Sequence, residues 1–282
     1  MAQKVLVEMS DNMIFDTHSH YDDEAFNDDR FSLLESMAEN GVGTIVSIGC
    51  DDITSQNAQA LSQKYPFVYF TAGYHPEFAE KYDDNAEKLI RRLAKDKKMV
   101  AIGEIGLDYH YDTPGRDIQK EVFIKQIKLA HELDLPIAIH CRDAVGDVME
   151  IIRKYPARGI FHCYSGSKET AQEILKLGYY ISFSGTVTFK NAKNVKETAK
   201  TVPSDRYLCE TDCPYLSPEP NRGKRNDSKN LVYILKKLAE IREIPYEQAV
   251  KETEENAKKI YGISQHKTYD YIKGQFFQRK DH

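Results

Sequence analysis

The sequence alternates short strand-like runs with amphipathic segments, and it does so eight times. The runs are rich in Ile, Val, Phe, Leu and Tyr, as is typical of buried strands, and they span 13–17, 44–49, 67–73, 99–104, 136–140, 159–163, 179–184 and 206–211. Strands that alternate with helices indicate a parallel sheet with crossover helices. Eight repeats favour a closed α/β barrel, the (β/α)8 TIM barrel, over an open sheet, and 282 residues suffice for the about 250 that such a barrel needs.

Helical periodicity is clear in four of the intervening segments, at 28–40, 116–134, 168–177 and 229–242. In the first of them, Phe31, Leu34 and Ala38 recur at steps of three and four residues, which predicts one buried helix face with Met37 beside it. Gly41 follows as a helix stop. The fourth segment is predicted to be the last long helix of the barrel.

One domain is predicted over residues 1–282, with the barrel core at about 13–262. No Ser/Gly-rich linker, repeat or low-complexity segment interrupts it. Residues 1–12 precede the first strand and are predicted to be an added strand or an arm. The polar and aromatic sequence after Ile263 is predicted either to dock on the barrel or to fray.

Composition restricts the partners of the chain. The net charge is −5, so no global basic field attracts nucleic acid, and the binding of a polyanion must be local and metal-assisted. No apolar stretch reaches transmembrane length, and the N-terminal sequence lacks the apolar core of a signal peptide. Five cysteines without a CxxC motif indicate reduced, buried thiols. These features predict a cytoplasmic protein without a membrane partner, and no obligate protein partner is evident.

Imidazole and carboxylate side chains stand at the ends of five of these runs, and the set comprises His18, His20, Glu104, His140, His162 and Asp212. The active site of a (β/α)8 barrel is built at the carboxyl ends of its strands. Four imidazoles and two carboxylates that converge there would hold two divalent metal ions. Each residue alone has a more ordinary interpretation, as a surface or core histidine, a salt-bridged Glu or a turn-capping Asp. The repetition at one topological position favours the metal site.

The spacing of these residues suggests how they share the metals. His18 and His20 alternate by two on an extended strand end, so both point to the same side and can chelate one metal, with Asp16 expected to orient them. Glu104 lies in an apolar, glycine-flanked run, and its two carboxylate oxygens can bridge two cations. Asp212 is interpreted as a ligand that also accepts a proton, and it shares its side of the strand with Glu210.

His140 and His162 each end a strand, and each is followed by a cysteine. Two successive strands that end in His-Cys at the same position are hard to explain by chance. The cysteines are expected to point to the opposite side and to pack against helices. A thiolate ligand is the less favoured alternative, because mixed thiolate sites select zinc and every position here offers a harder ligand.

Further polar groups follow strands at the same predicted rim. His75 comes after the third strand and Arg142 directly after His140, while the loop after the eighth strand contains Arg222, Lys224 and Arg225. Basic side chains beside two metals suit an anionic substrate such as a phosphate. The alternative for the loop is ordinary surface charge. These five residues are therefore the predicted substrate contacts.

The motifs FDTHSHYD, GEIGLDY, IHCRDA, FHCYSG and ETDCPYL, followed by NRGKRN, resemble in content and order the TatD family of metal-dependent deoxyribonucleases. The resemblance runs from about Met13 to Tyr261. It implies a (β/α)8 barrel of the amidohydrolase-like group that cleaves DNA with a divalent metal, often Mg²⁺, and in some members from the 3′ end. By the same resemblance, the six residues proposed above match metal-binding positions, and His75 and the RGKRN loop match positions that face substrate.

Two positions depart from the family pattern. Ser19 stands where Cys is common, which should leave chelation unaffected. The loop continues as Asn226-Asp227-Ser228 where Asn-Glu-Pro is common. Without that proline, the start of the next helix is expected to be looser and the substrate mouth to be altered.

The function predicted from the sequence is that of a metal-dependent phosphodiesterase, a deoxyribonuclease that digests single-stranded DNA from the 3′ end. Hydroxide held by a binuclear centre would attack phosphorus, with Glu104 bridging the metals and Asp212 taking the proton. The metals are two divalent ions, Mg, Mn, Zn, Ni or Fe, and four imidazoles suit the others better than Mg²⁺. The alternatives are a hydrolase of a small ester, an amide or aminoacyl-tRNA, and a barrel that binds metal or nucleic acid without turnover.

Overall fold

Eight parallel strands form the sheet of the computed structural model, which describes residues 12–111 and 113–264. The strands pair in chain order, and they are β1 (Ile14–Ser19), β2 (Val42–Ser47), β3 (Val68–Ala72), β4 (Met99–Asp108), β5 (Ile137–Arg142), β6 (Gly159–Phe161), β7 (Tyr180–Phe183) and β8 (Tyr207–Cys209). A bridge between Ser19 and Cys213 and a hydrogen bond from Thr17 Oγ1 to the Cys209 carbonyl (3.0 Å) join β8 to β1. The predicted (β/α)8 barrel is confirmed.

The helices of the described chain surround this barrel, and they are α1 (Arg30–Glu35), α2 (Asp52–Lys64), α3 (Asp84–Leu93), α4 (Arg116–Glu132), α5 (Val145–Lys154), α6 (Lys168–Lys176), α7 (Lys193–Thr201), α8 (Leu231–Arg242) and α9 (Tyr246–Tyr261). Short 3-10 helices lie at Glu24–Phe26, Ala38–Asn40, Pro76–Lys81, Gly185–Thr188 and Ser228–Asn230. Several of the 3-10 helices follow the carboxyl end of a strand, which is the face of the barrel where the candidate site lies.

β4 is longer than the predicted run, which ends at Glu104. The strand continues to Asp108, because Gly106, Leu107 and Asp108 still pair with β5. The pairing register with β5 shifts between Ile102 and Ile105, so the strand is irregular where Glu104 lies. Glu104 is therefore inside a strand, and not at its terminus as predicted.

The prediction of one helix over 28–40 is wrong. α1 contains only six residues, and a separate 3-10 helix, Ala38–Asn40, follows it. Because the chain does not keep one helical repeat, the predicted buried face does not form, and Phe31 is 48% exposed. Leu33, Leu34 and Met37 are the side chains that this segment buries.

α8 is confirmed over most of the predicted 229–242, but it is not the last helix. α9 follows it, and its C-terminal residues Ile260 and Tyr261 pack with Phe15 and Leu208 in the interior of the barrel. The Tyr261 hydroxyl donates to the Thr17 carbonyl (2.9 Å). Sequence periodicity missed this helix because Thr253, Glu254 and Asn256 lie on its buried side, where apolar residues are expected.

The predictions for residues 1–11 and for the tail from 265 onward lie outside the described residues, as does position 112. In the part of the chain that the structure describes, no helix combines the length and the apolar character needed to span a bilayer. All five cysteines are free, with Cys209 and Cys213 buried and the other three partly buried.

Candidate metal centre

The side chains of His18, His20, Glu104, His140, His162 and Asp212 come together at the carboxyl end of the barrel, although they lie on β1, β4 and β5 and in the segments after β1, β6 and β8. Strand order explains the convergence, because parallel strands present their carboxyl ends at one face of the barrel. Within this cluster the structure groups imidazoles and carboxylates closely enough to hold metal ions. Which of these residues bind metal remains a prediction.

Glu104 lies between two groups of imidazoles. Its Oε2 is 3.3 Å from His18 Nε2 and 3.9 Å from His20 Nε2. Its Oε1 is 2.7 Å from His162 Nε2 and 2.8 Å from His140 Nδ1. Each oxygen of one buried carboxylate therefore faces a different group.

Asp212 closes the first of these groups. Its Oδ1 is 3.3 Å from His20 Nε2 and 3.7 Å from His18 Nε2. The residue has φ of 56°, in the left-handed region that is uncommon for a residue other than glycine. Its backbone N–H donates to the His18 carbonyl (2.9 Å), so the turn after β8 is joined to β1. Backbone strain of this kind is a common feature of functional sites.

The electrostatics of the centre favour ionised carboxylates. Burial opposes the ionisation of Glu104, but the imidazoles of His162 and His18 and hydrogen bonds from His140 and His162 outweigh it, so its pKa lies well below its usual range. Burial likewise opposes the ionisation of Asp212, and the hydrogen bond from His20 with the nearby imidazoles lowers its pKa. Both carboxylates are therefore available as anionic ligands.

Among the described residues, two buried imidazole nitrogens of the cluster, His18 Nε2 and His162 Nδ1, have no hydrogen-bond partner. His18 Nε2 faces Glu104 and Asp212, yet it makes no hydrogen bond with either because the geometry is unsuitable, although Glu104 is within contact distance. A buried polar atom without a partner is costly, and a bound cation would satisfy it. The donor set of imidazole nitrogens and carboxylate oxygens also fits a divalent metal.

Asp108 lies behind His140, and sequence reasoning did not assign it a role. Its Oδ2 is 2.9 Å from His140 Nε2, so it holds the nitrogen that faces away from Glu104. Asp108 is in turn bonded to its neighbours, since its backbone N–H donates to Gln119 Oε1 (2.9 Å). A carboxylate behind a ligand histidine sets its orientation and tautomer. The signal was present in the GEIGLDY motif, four residues after Glu104.

Two other groups lie behind imidazoles of the centre. Glu210 Oε1 is 3.3 Å from His162 Nδ1 and accepts a hydrogen bond from the Cys163 N–H (2.6 Å). The sequence placed Glu210 on the same side as Asp212 without naming its partner. Cys50 Sγ, in the segment after β2, is 3.9 Å from His20 Nδ1. Its position after a strand was the available signal, and the sequence had grouped it with ordinary buried thiols.

The expectation that Asp16 orients His18 and His20 is wrong for their rings. The Asp16 carboxylate accepts hydrogen bonds from Thr211 Oγ1 (2.6 Å), Thr211 N–H (3.0 Å) and Ser228 Oγ (2.6 Å). Of the histidines it contacts only the His18 backbone N–H, at 3.4 Å. Asp16 thus joins β1 to the chain after β8. Burial raises its pKa to about 7, against the effect of these hydrogen bonds.

His75 is close to the centre as well. Its Nε2 is 3.8 Å from Glu104 Oε1, and its ring makes an edge contact with the His140 ring at 4.4 Å. The Glu77 backbone N–H donates to His75 Nδ1 (3.2 Å), so the proton of the neutral ring is on Nε2. Burial lowers the pKa of His75 to about 3, which keeps this ring neutral.

The basic residues predicted to contact substrate differ in their surroundings. Arg142 is exposed at the end of β5, with its guanidinium 5.7 Å from the centre of the Tyr111 ring. Arg222 and Lys224 are exposed in the loop after β8. Arg225 instead donates two hydrogen bonds to Asp29, at 2.7 and 2.6 Å. The structure thus gives Arg225 an internal partner, while the substrate contacts of all four residues remain predictions.

The structure is a parallel eight-stranded α/β barrel with a candidate metal site at its carboxyl end. The model of the TatD related DNase family matches residues 15–262, and the chain belongs to this family of metal-dependent hydrolases. The resemblance inferred from the motifs is therefore confirmed.

Individual relatives agree with this assignment. The chain is 44% identical over 255 residues to the uncharacterized metal-dependent hydrolase YabD of Bacillus subtilis, a match that covers 89% of this chain and 100% of that protein. It is 31% identical over 260 residues to the 3'-5' ssDNA/RNA exonuclease TatD of Pantoea ananatis, covering 89% and 100%. The crystal structure of YjjV, a TatD homolog from Escherichia coli K12, matches with a TM-score of 0.84 at 27% identity, covering 90% and 100%.

Proposed function

We propose that the protein is a metal-dependent phosphodiesterase that digests single-stranded DNA from its 3′ end. The observation that supports it best is the position of Glu104, whose two oxygens face two separate groups of imidazoles. A carboxylate in that position is suited to bridge two cations, as in phosphodiester-cleaving two-metal sites. The relative from Pantoea ananatis carries the name of a 3'-5' exonuclease of single-stranded DNA and RNA, which supports the substrate class.

The residues divide into two ligand groups in this proposal. His18, His20 and Asp212 would hold one divalent ion with Glu104 Oε2. His140 and His162 would hold the second with Glu104 Oε1. Imidazole-rich ligands suit Zn²⁺, Mn²⁺, Fe²⁺ or Ni²⁺ better than Mg²⁺, so availability would decide which metal is bound. Two such ions supply positive charge to a phosphate and lower the pKa of water.

The chain's own residues would carry the proton transfer and the orientation of the phosphate. Asp212 is an ionised carboxylate at the centre, and it would accept the proton of the attacking water. His75 is held with its Nε2–H directed at the centre, and it would donate a hydrogen bond to a phosphate oxygen. Asp108 and Glu210 would keep His140 and His162 in their orientations.

Charge at the rim supports an anionic substrate, although the chain as a whole is acidic. Arg142, Arg222 and Lys224 are exposed around the mouth, while the net charge is −5. Attraction over long distances is therefore weak, and binding would depend on the metals and a short basic rim. A barrel mouth of this kind admits a strand end or a flexible single strand more easily than a stiff duplex, which must bend to reach it.

The test is degradation of labelled DNA by the purified chain with Mg²⁺, Mn²⁺ or Zn²⁺. We expect 5′-labelled linear single strands to shorten stepwise and the reaction to stop when a chelator is added. A closed circular single strand should resist cleavage, and equal rates on both would remove the end dependence. If no metal supports DNA degradation while small esters are hydrolysed, the chain is a small-ester hydrolase instead.

A further inference from the structure

Exposed apolar side chains are concentrated at one end of the barrel. Six large apolar side chains are exposed among the described residues, and all six stand in a loop or a first helical turn that follows the carboxyl end of a strand. Five of them are Ile53, Tyr111, Ile118, Val145 and Tyr215. The sixth, Phe31, lies beside Lys64 at the far end of α2. Single exposed apolar residues are common, but their concentration around a candidate active site indicates a contact surface.

Two of the five are tyrosines on opposite sides of the centre. Tyr111 follows β4 and is 66% exposed, and Tyr215 follows β8 and is 55% exposed. Because the eight strands pair in chain order, β4 and β8 lie across the barrel from each other. Glu104 is on β4 and Asp212 follows β8, so the metal centre lies between the two tyrosines.

Both rings are exposed and contact neighbouring side chains. The Tyr215 hydroxyl donates to Asp23 Oδ2 (2.8 Å), and the ring meets the His20 ring at 6.3 Å between centres. The Tyr111 ring makes an edge contact with the His110 ring at 4.6 Å. A tyrosine side chain has few rotatable bonds and loses little conformational entropy on binding, so an exposed ring is well suited to contact a planar ligand.

Arginine side chains lie beside aromatic rings at the same rim. The Arg142 guanidinium is 5.7 Å from the centre of the Tyr111 ring, and the Arg222 guanidinium is 4.3 Å from that of Phe189. Phe189 follows the 3-10 helix after β7, beside the loop that bears Arg222. Alternating rings and positive charges match the alternating bases and phosphates of a single strand. In a duplex the bases are already stacked on each other, so their faces are not accessible.

We propose that Tyr111 and Tyr215 are stacking platforms for the bases on the two sides of the reacting phosphate. The strand would cross the barrel mouth from the β4 side to the β8 side, with Arg142 and Arg222 next to its phosphates. This inference rests on the proposed nuclease function and specifies how that site takes its substrate. A small aromatic ester could contact only one of the two rings. The binding of a protein partner would not depend on the bases of a DNA strand.

The experiment pairs the removal of a ring with the removal of a base. Tyr111→Ala, Tyr215→Ala and the matching Phe variants are loaded with Mn²⁺ and compared by kcat/KM on a labelled single-stranded oligodeoxynucleotide. A second set of substrates has the same sequence with one abasic site, which is placed at a different nucleotide in each strand. The dissociation constant of each strand is measured by fluorescence anisotropy with each variant made in the Asp212→Asn background. Phe31→Ala is the control, since it removes an exposed ring away from the mouth.

We expect each Ala variant to lose about 5- to 150-fold in kcat/KM and in affinity on the intact strand, the range for one stacked base. On the strand that lacks the corresponding base, the same variant should lose almost nothing further. The abasic position that cancels the effect of Tyr111→Ala should differ from the position that cancels the effect of Tyr215→Ala. The Phe variants should retain most of the kcat/KM and affinity of the unchanged protein. Phe31→Ala should behave as the unchanged protein, and melting temperatures should confirm that all variants are folded.

Two outcomes distinguish failure of this inference from failure of the proposed function. The unchanged protein could degrade DNA while the Ala variants lose the same factor in kcat/KM on intact and abasic strands, or lose nothing. In that case the two tyrosines are not stacking platforms, and the nuclease assignment stands. If the unchanged protein neither degrades nor binds the oligodeoxynucleotide with any metal, the proposed function itself is wrong and so are the platforms.

Discussion

At the scale of single residues, the metal centre depends on which nitrogen each histidine directs inward. His140 directs Nδ1 at Glu104 and His162 directs Nε2, so the two rings use different atoms. The opposite nitrogens face Asp108 and Glu210. Since a neutral imidazole has one lone pair, these outer carboxylates decide which nitrogen can bind a metal. Asp108 and Glu210 therefore fix the orientation of two of the candidate ligands.

Asp212→Asn keeps the size of the side chain and removes its charge and basicity. We expect turnover of single-stranded DNA to fall by about 10²-fold or more, the scale for removal of a general base. The melting temperature should change little, because the hydrogen bond that joins this turn to β1 is made by the backbone. Near-normal turnover in metal-loaded Asp212→Asn would exclude the residue from the proton transfer.

Asp108→Asn tests the carboxylate behind His140. We expect metal affinity or activity to fall by about 10- to 100-fold, as is typical when an outer partner of a ligand histidine is changed. Metal binding can be measured by titration calorimetry. Asp143→Asn is the matched control, since its carboxylate is exposed on the same rim and lies 3.3 Å from the exposed His110. Equal effects of the two changes would contradict a specific role for Asp108.

At the scale of elements, the loop after β8 is joined to the first strand by buried hydrogen bonds. Ser228 occupies the position where proline is common, and its N–H donates to the Tyr21 hydroxyl (2.9 Å) while its Oγ donates to Asp16 Oδ2 (2.6 Å). Proline could make neither bond. The expected loosening of the next helix is thus offset by these hydrogen bonds, because the serine side chain anchors the start of the segment.

The same loop contains Arg222 and Lys224, which are predicted to contact substrate, and Arg225, which pairs with Asp29. Substitutions of the two kinds give a controlled test of substrate contact. Replacing Arg222 and Lys224 by Ala should weaken binding of single-stranded DNA and reduce the slope of log affinity against log salt by about 0.7 for each phosphate that the variant no longer neutralises. Arg225→Ala should instead lower the free energy of unfolding, by under about 1 kcal/mol, because it removes an exposed ion pair with Asp29. Binding titrations at several salt concentrations measure the slopes. An unchanged slope in the double variant would make the loop ordinary surface.

At the scale of the whole molecule, the barrel brings residues that are distant in sequence close to the buried carboxylate of Glu104. His18 and Asp212 are separated by most of the chain, yet the His18 carbonyl accepts a hydrogen bond from the Asp212 N–H. A metal bound by such residues would be a crosslink between strands that exists only in the folded state. Ligand binding to the folded state alone stabilises it.

Metal loading should therefore raise thermal stability. At a concentration 100 times the dissociation constant, one bound ion contributes about 2.7 kcal/mol, which corresponds to a rise of about 5 °C in a protein of this size. Differential scanning calorimetry with Mn²⁺ and with chelator measures the difference. Glu104→Gln should abolish most of the rise, and Glu77→Gln, at an exposed neighbour of His75, should not. A full rise in Glu104→Gln would argue against Glu104 as a shared ligand.

The sequence alone was sufficient for the barrel and for the candidate ligands. Strand-like runs and helical segments follow periodicities that depend only on local side-chain order, so their number and alternation could be read directly. The six candidate ligands could be selected because parallel strands end at one face of a barrel. Residues at the ends of different strands are therefore expected to lie close together. Their motifs also identified the family.

Element boundaries and the partners behind the ligands were decided by tertiary structure. β4 runs past Glu104 to Asp108 because β5 is there to pair with it, and no local pattern encodes that partner. α9 buries polar side chains that find hydrogen bonds only in the assembled barrel, as Asn256 does with the Ser204 and Tyr207 carbonyls. Asp16 likewise accepts hydrogen bonds from residues that are remote in sequence. Local sequence order determines periodicity and the face a residue occupies, whereas a hydrogen bond between remote residues depends on distances that exist only after the chain has folded.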